Sequence, residues 1–125
     1  MSQIRVGVIG ANGRMGATVC DAVRAADGLE LVAAVDPSFP TDVVSGDGVV
    51  NGHDLRVLAE TGCDVAVDFT IATASRVALP FLAMPGIHAV VGTTGFDEGD
   101  LDAFHSAFAG SGANCLIAAN FAISA

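Results

Sequence analysis

Near the start of the chain, Gly10-Ala11-Asn12-Gly13-Arg14-Met15-Gly16 sets three glycines three residues apart, directly after the apolar run Ile4–Ile9. Each glycine meets a different need. Gly10 can take a tight turn, Gly13 offers no side chain to block an approaching group, and Gly16 lets a helix lie close to a strand. The free N–H groups at the start of that helix then face an anion, and the helix dipole favours its charge. The spacing G-x-x-G-x-x-G is a variant of the dinucleotide fingerprint. Alone it marks an ordinary turn as readily as a phosphate site. A strand before it and a helix after it decide for a diphosphate.

Asp36 closes the next apolar run, Leu29–Val35, at the place where a carboxylate can take both hydroxyls of an adenosine ribose. It favours NADH over NADPH, because it repels a 2′-phosphate. Arg14, at the helix start, pulls the other way. The plainer readings are a turn residue before Pro37 and a solvated surface arginine. Three later strand ends carry small polar groups: Asp68-Phe69-Thr70, Gly92-Thr93-Thr94-Gly95-Phe96 and Ala118-Ala119-Asn120-Phe121. Glycine and threonine admit a flat ring to backbone and hydroxyl groups, Asn120 offers an amide, and Phe69 or Phe121 an apolar wall. Singly, these phenylalanines are core residues and these threonines helix caps. Together at one sheet edge they predict a binding face.

His53, His88 and His105 are read as structural, none lying at a strand's carboxyl end. Met15 and Met84 are read as helix packing residues. No metal ligand set and no catalytic residue is predicted.

To position these groups the chain must alternate strands and helices. Strands are predicted at 4–9, 29–35, 65–69, 88–91 and 114–118. Helices are predicted from Arg14 to Ala26, with Met15, Val19, Ala22, Val23 and Ala26 at helical spacing, over 54–61 with Asp54 as N-cap, over 72–83 with Pro80 as an imperfect break, and over 97–109 behind an acidic first turn. The stretch 38–51 reads as a loop with a short strand at Val49-Val50. Apolar strands alternating with helices mean α/β: a doubly wound parallel sheet covered on both faces. An ending just past a strand reads as a cut chain.

The chain has 125 residues, room for one domain, 1–125. Hydrophobic residues reach 52%, while charged ones are only 15%. The net charge is −9, with no lysine and five scattered arginines, which argues against nucleic acid and anionic membranes as partners. No secretory signal or spanning segment is apparent. Cys20, Cys63 and Cys115 read as buried free thiols in a reducing cytoplasm.

Taken together, V-G-V-I-G-A-N-G-R-M-G at 6–16, V-D-F-T at 67–70, H-A-V-V-G-T-T-G-F at 88–96 and A-A-N-F at 118–121 resemble the 4-hydroxy-tetrahydrodipicolinate reductases, also called dihydrodipicolinate reductases. The resemblance spans nearly the whole chain. It implies the Rossmann-like cofactor domain of a cytoplasmic, usually tetrameric oxidoreductase of lysine and diaminopimelate biosynthesis. Such an enzyme transfers hydride from NADH or NADPH to a dipicolinate-type ring. By matching positions, Gly10, Ala11, Asn12, Gly13, Arg14 and Met15 would contact the pyrophosphate side. Asp36 would hold the adenosine ribose, and Phe69 and Thr70 would lie near the pyrophosphate or ribose. Gly92, Thr93 and Thr94, with Ala118, Ala119, Asn120 and Phe121, would line the nicotinamide end.

The family's His-His-x-x-Lys stretch, which holds substrate carboxylates and supplies the proton, is absent, as it must be in a chain without lysine. Ser124 stands where the family often has glycine, and 38–54 is shorter than in many relatives. The expectation is a chain that binds the cofactor, lacks the substrate and tetramerisation domain, and has no reductase activity alone. A stand-alone NAD-sensing module is one alternative. The first domain of another dehydrogenase, such as homoserine or aspartate dehydrogenase, is the other.

Overall fold

The computed structural model describes residues 3–40 and 42–118. Strands β1 (Ile4–Ile9), β2 (Leu29–Val35), β3 (Val43–Val44), β4 (Val50–Gly52), β5 (Val65–Asp68), β6 (His88–Val91) and β7 (Cys115–Ile117) form one sheet. Helices α1 (Arg14–Ala25), α2 (Arg56–Glu60), α3 (Ala72–Ala83) and α4 (Glu98–Phe108) connect them. The strand order is β3-β4-β2-β1-β5-β6-β7. Every neighbouring pair is parallel except β3 with β4. The order therefore reverses between β1 and β5, and a crevice opens at their carboxyl ends.

Two apolar layers sandwich the sheet. On one face α1 packs Cys20 and Val23 against Val6, Val8, Leu31 and Ala34. On the other, α2, α3 and α4 bring Leu58, Leu79, Leu82, Phe104 and Phe108 onto Ile9, Ala33, Ala66, Ala89 and Val91. Leu58, Leu79 and Leu82 are wholly buried, each contributing about 2 kcal/mol of apolar transfer.

Several expectations change here. The short strand expected at Val49-Val50 is present as β4, shifted to Val50–Gly52 and parallel to β2, and the stretch also adds the unexpected antiparallel strand β3. Strands this short, with an Asn and a Gly in β4, carry no readable periodicity. Burial on both faces describes the inner stretches of β1 and β2, but β5 and β6 alternate buried with half-buried residues. The buried stripe of α1 is Gly16, Cys20 and Val23, not one led by Met15 and Ala22. Gly16 draws the helix so close that the stripe centres on it. Met15 and Met84 are exposed, Met84 at 85%, so neither is a packing residue. Pro80 does not break α3, which runs through it; a proline removes one N–H from the ladder, and the buried flank of Ala78, Leu79 and Leu82 holds the helix. Cys115 is only half-buried, unlike Cys20 and Cys63.

Candidate functional site

The glycine turn is built as its residue types require. Gly10 has φ +83°, a conformation L side chains avoid. A Cβ there would stand 2.9 Å from the Phe69 carbonyl oxygen, so the turn after β1 lies directly on the loop after β5. A Cβ on Gly16 would stand 1.9 Å from the Gly10 carbonyl oxygen, so only glycine lets α1 start here. The Gly13 N–H donates to the Gly10 carbonyl at 3.1 Å, and Gly13 itself is exposed. No side chain caps α1 and no acid stands in its first turn. Its leading N–H groups are thus open to an anion. Ala11 is buried beneath the turn, and its N–H donates to the Val35 carbonyl.

Asn12 ties this turn to the end of β2. Its N–H donates to Asp36 Oδ2 at 3.0 Å, and its Nδ2 donates to Ser38 Oγ at 2.8 Å. Asp36 Oδ1 accepts both the N–H and the hydroxyl of Ser38, at 3.0 and 2.7 Å. Desolvation works against the Asp36 carboxylate, but these donors from Ser38 and Asn12 outweigh it and hold its pKa below the usual range. Asp36 is therefore a fixed anion with one oxygen turned toward the glycine turn. Arg14 is exposed and, unlike Arg5, Arg24, Arg56 and Arg76, forms no ion pair among the described residues.

The loops after β5 and β6 meet next to it. A Cβ on Gly92 would fall 2.2 Å from the Phe69 ring, so Phe69 lies flat against Gly92. Thr93 is buried with its hydroxyl turned inward, toward Ser75 and Asp68, while Thr94 is exposed. Ala118 is half-buried, and its N–H donates to the Val91 carbonyl. Ala119, Asn120 and Phe121 lie outside the described residues.

Beside the glycine turn is an apolar cleft of about 230 Å³, lined by Ile9, Val35, Pro37, His53, Leu55 and Val77 among others. Thr70, an expected site residue, also lines it; sequence reasoning missed the other residues. His53 does stand at a strand's carboxyl end, because β4 stops at Gly52, and its Nδ1 lies 3.2 Å from the Pro40 carbonyl. Recognising β4 would have found it. A larger hollow of about 560 Å³ lies between α4 and the β7 edge, away from the crevice. His88 is structural as expected: its Nδ1 accepts the Asn114 N–H. Burial pushes the Cys20, Cys63 and Cys115 thiols up, away from reactive thiolates. Among the described residues no group of His, Cys, Asp and Glu could hold a metal, and no helix is long and apolar enough to cross a membrane.

Comparison with known proteins agrees with this geometry. The family described as "Dihydrodipicolinate reductase, N-terminus" matches residues 4–121. A 4-hydroxy-tetrahydrodipicolinate reductase from Nocardia farcinica is 50% identical over 123 residues, covering 98% of this chain and 44% of that protein. One from Corynebacterium efficiens is 46% identical over the same shares. The chain thus spans less than half the length of these relatives. A dipicolinate-bound dihydrodipicolinate reductase from Paenisporosarcina superposes with a TM-score of 0.82 at 27% identity, over 97% of this chain and 49% of that one. Homoserine dehydrogenase from S. aureus shares the fold alone, with a TM-score of 0.75 at 11% identity, over 96% of this chain and 33% of that one. The glycine turn, the Phe69–Gly92 contact and the match across 4–121 make this chain a member of the dihydrodipicolinate reductase N-terminal family.

Proposed function

We propose that this chain is the NADH- or NADPH-binding half of a cytoplasmic 4-hydroxy-tetrahydrodipicolinate reductase, with NADH favoured. The observation that carries this is the glycine cradle: a Cβ on Gly10 or Gly16 would collide with backbone, and α1 opens with its N–H groups uncapped. A diphosphate fits that cradle by charge and by space. Asp36 takes the adenosine ribose, and the apolar cleft beside His53 and Val77 suits the flat aromatic faces of an adenine. Phe69 and Thr70 lie near the pyrophosphate or ribose, and Gly92, Thr93, Thr94 and Ala118 line the nicotinamide end, to which the family resemblance also assigns Ala119, Asn120 and Phe121.

The bound dinucleotide supplies a hydride for a dipicolinate-type ring. The chain's own residues hold and orient the dinucleotide and wall it from water on one side. The groups that bind the ring and deliver a proton belong to the remaining length of the enzyme, as do the contacts of a homotetramer. Alone, this chain binds cofactor and shows no reductase activity.

Titrating NADH and NADPH into the chain tests the reading. Saturable binding, tighter for NADH, is expected, with amide shifts between Gly10 and Gly16. A preference for NADPH beyond about tenfold, ~1.4 kcal/mol, contradicts the role of Asp36. If neither cofactor raises the melting temperature or moves those amides, the proposal fails.

A further inference from the structure

We infer that Asp68 is a positioning residue for the nicotinamide side of the cleft, acting through Thr70, Ser75 and Thr93 without touching the dinucleotide. This rests on the cofactor binding proposed above. Asp68 ends β5, next to the strand-order reversal, and is wholly buried. Its Oδ1 accepts the Thr70 N–H at 3.0 Å and the Thr70 hydroxyl at 2.6 Å. Its Oδ2 accepts the Ser75 hydroxyl at 2.7 Å. Thr93 Oγ1 completes the group, 3.0 Å from Ser75 Oγ, 3.2 Å from the Thr70 nitrogen and 3.4 Å from Asp68 Oδ1. Among the described residues no arginine pairs with Asp68.

Burying a carboxylate without a counter-ion is unfavourable unless donors surround it. Here the donors come from three separate segments: the loop after β5, the first turns of α3 and the loop after β6. Apolar side chains would fill the space at less cost. What the carboxylate adds is a fixed distance between those segments. The consequence reaches the cleft through Phe69. Phe69 lies between Asp68 and Thr70, its carbonyl backs Gly10 and its ring covers Gly92. The Gly92 N–H donates to the Asp68 carbonyl at 2.9 Å. One buried side chain therefore sets the Phe69 loop and the Gly92–Thr94 loop in register.

Thr93→Val and Ser75→Ala each remove one hydroxyl while keeping or reducing side-chain size. Binding of NADH, followed by its fluorescence, and of ADP, which lacks the nicotinamide half, is measured for both variants and for the unaltered chain. NADH affinity is expected to fall about tenfold in each, the effect of one lost buried hydrogen bond, while ADP affinity stays within about twofold. Thr93→Ser, which restores the hydroxyl, recovers most of the NADH affinity. Unchanged NADH affinity in both variants overturns the inference and leaves the proposed function standing. Equal losses for NADH and ADP show a merely structural role and also overturn it. An unaltered chain that binds ADP or NADH not at all refutes the proposed function itself.

Discussion

Gly13 and Gly16 belong to one turn, yet the surrounding backbone treats them differently. Gly13 has φ −77° and ψ 167°, which alanine adopts freely, and its Cβ would come no nearer than 3.3 Å to the Gly10 oxygen. Gly16 leaves 1.9 Å, which no Cβ tolerates. Gly16→Ala is expected to lose roughly 3 kcal/mol of stability, read in urea unfolding, because α1 must move off β1. Gly13→Ala is expected to lose no more than about 1 kcal/mol, yet to weaken NADH at least tenfold by placing a methyl over the open N–H groups. Equal NADH binding by Gly13→Ala and the unaltered chain would remove the diphosphate from that spot. The close packing at Gly16 was legible in the sequence, since spacing after a strand defines it. The inward turn of the Thr93 hydroxyl was not, because its partners Ser75 and Asp68 are distant along the chain.

At the scale of the element, α4 shows how local sequence sets a helix start. The Asp97 carboxylate accepts the Asp100 N–H at 2.8 Å, and Asp100 returns the bond to the Asp97 N–H at 3.0 Å. Arg76, from α3, donates two parallel hydrogen bonds to Asp100, at 2.8 and 2.9 Å, clamping the two helices together. Arg76 above all, with the Asp97 N–H, holds the Asp100 carboxyl down at about 2, against an ordinary value of 3.8. A depressed carboxylate stabilises the fold above its unfolded pKa and loses that contribution on protonation. Its share is therefore complete above pH 3.8 and disappears as pH falls toward about 2. In Asp100→Asn, stability measured by urea unfolding is expected to change less across that window than in the unaltered chain. Asp97→Ala is expected to lose about 1 kcal/mol at neutral pH with the loss of the cap. The acidic start of this helix could be read directly from Asp97, Glu98 and Asp100. Its clamp by Arg76 could not, since nothing in the spacing of 76 and 100 joins them.

The whole molecule carries a net charge of −9 over 125 residues. Ion pairs such as Arg5–Glu30 and Arg24–Asp47 join exposed side chains and contribute about 0–1 kcal/mol each. At this net charge, mutual repulsion among the remaining carboxylates is expected to outweigh them. Raising salt from about 10 to about 150 mM shortens the screening length from roughly 30 to 8 Å and weakens that repulsion. The melting temperature, followed by circular dichroism, is expected to rise over this range. A fall would show that the ion pairs dominate.

Strand runs such as Ile4–Ile9 and Leu29–Val35, the glycine turn and the α/β class were determined by the sequence itself. Each depends on neighbours within a few residues, through periodicity, turn geometry and helix-start chemistry. Tertiary structure alone decided that Val43–Val44 joins the sheet, that α1 buries Gly16 where Met15 stays exposed, and that His53 reaches the crevice. In those cases the deciding partner is a strand or helix far away in the chain. A two- or three-residue strand becomes one only when a neighbour supplies its hydrogen bonds, and a helix face is chosen by what the sheet presents to it.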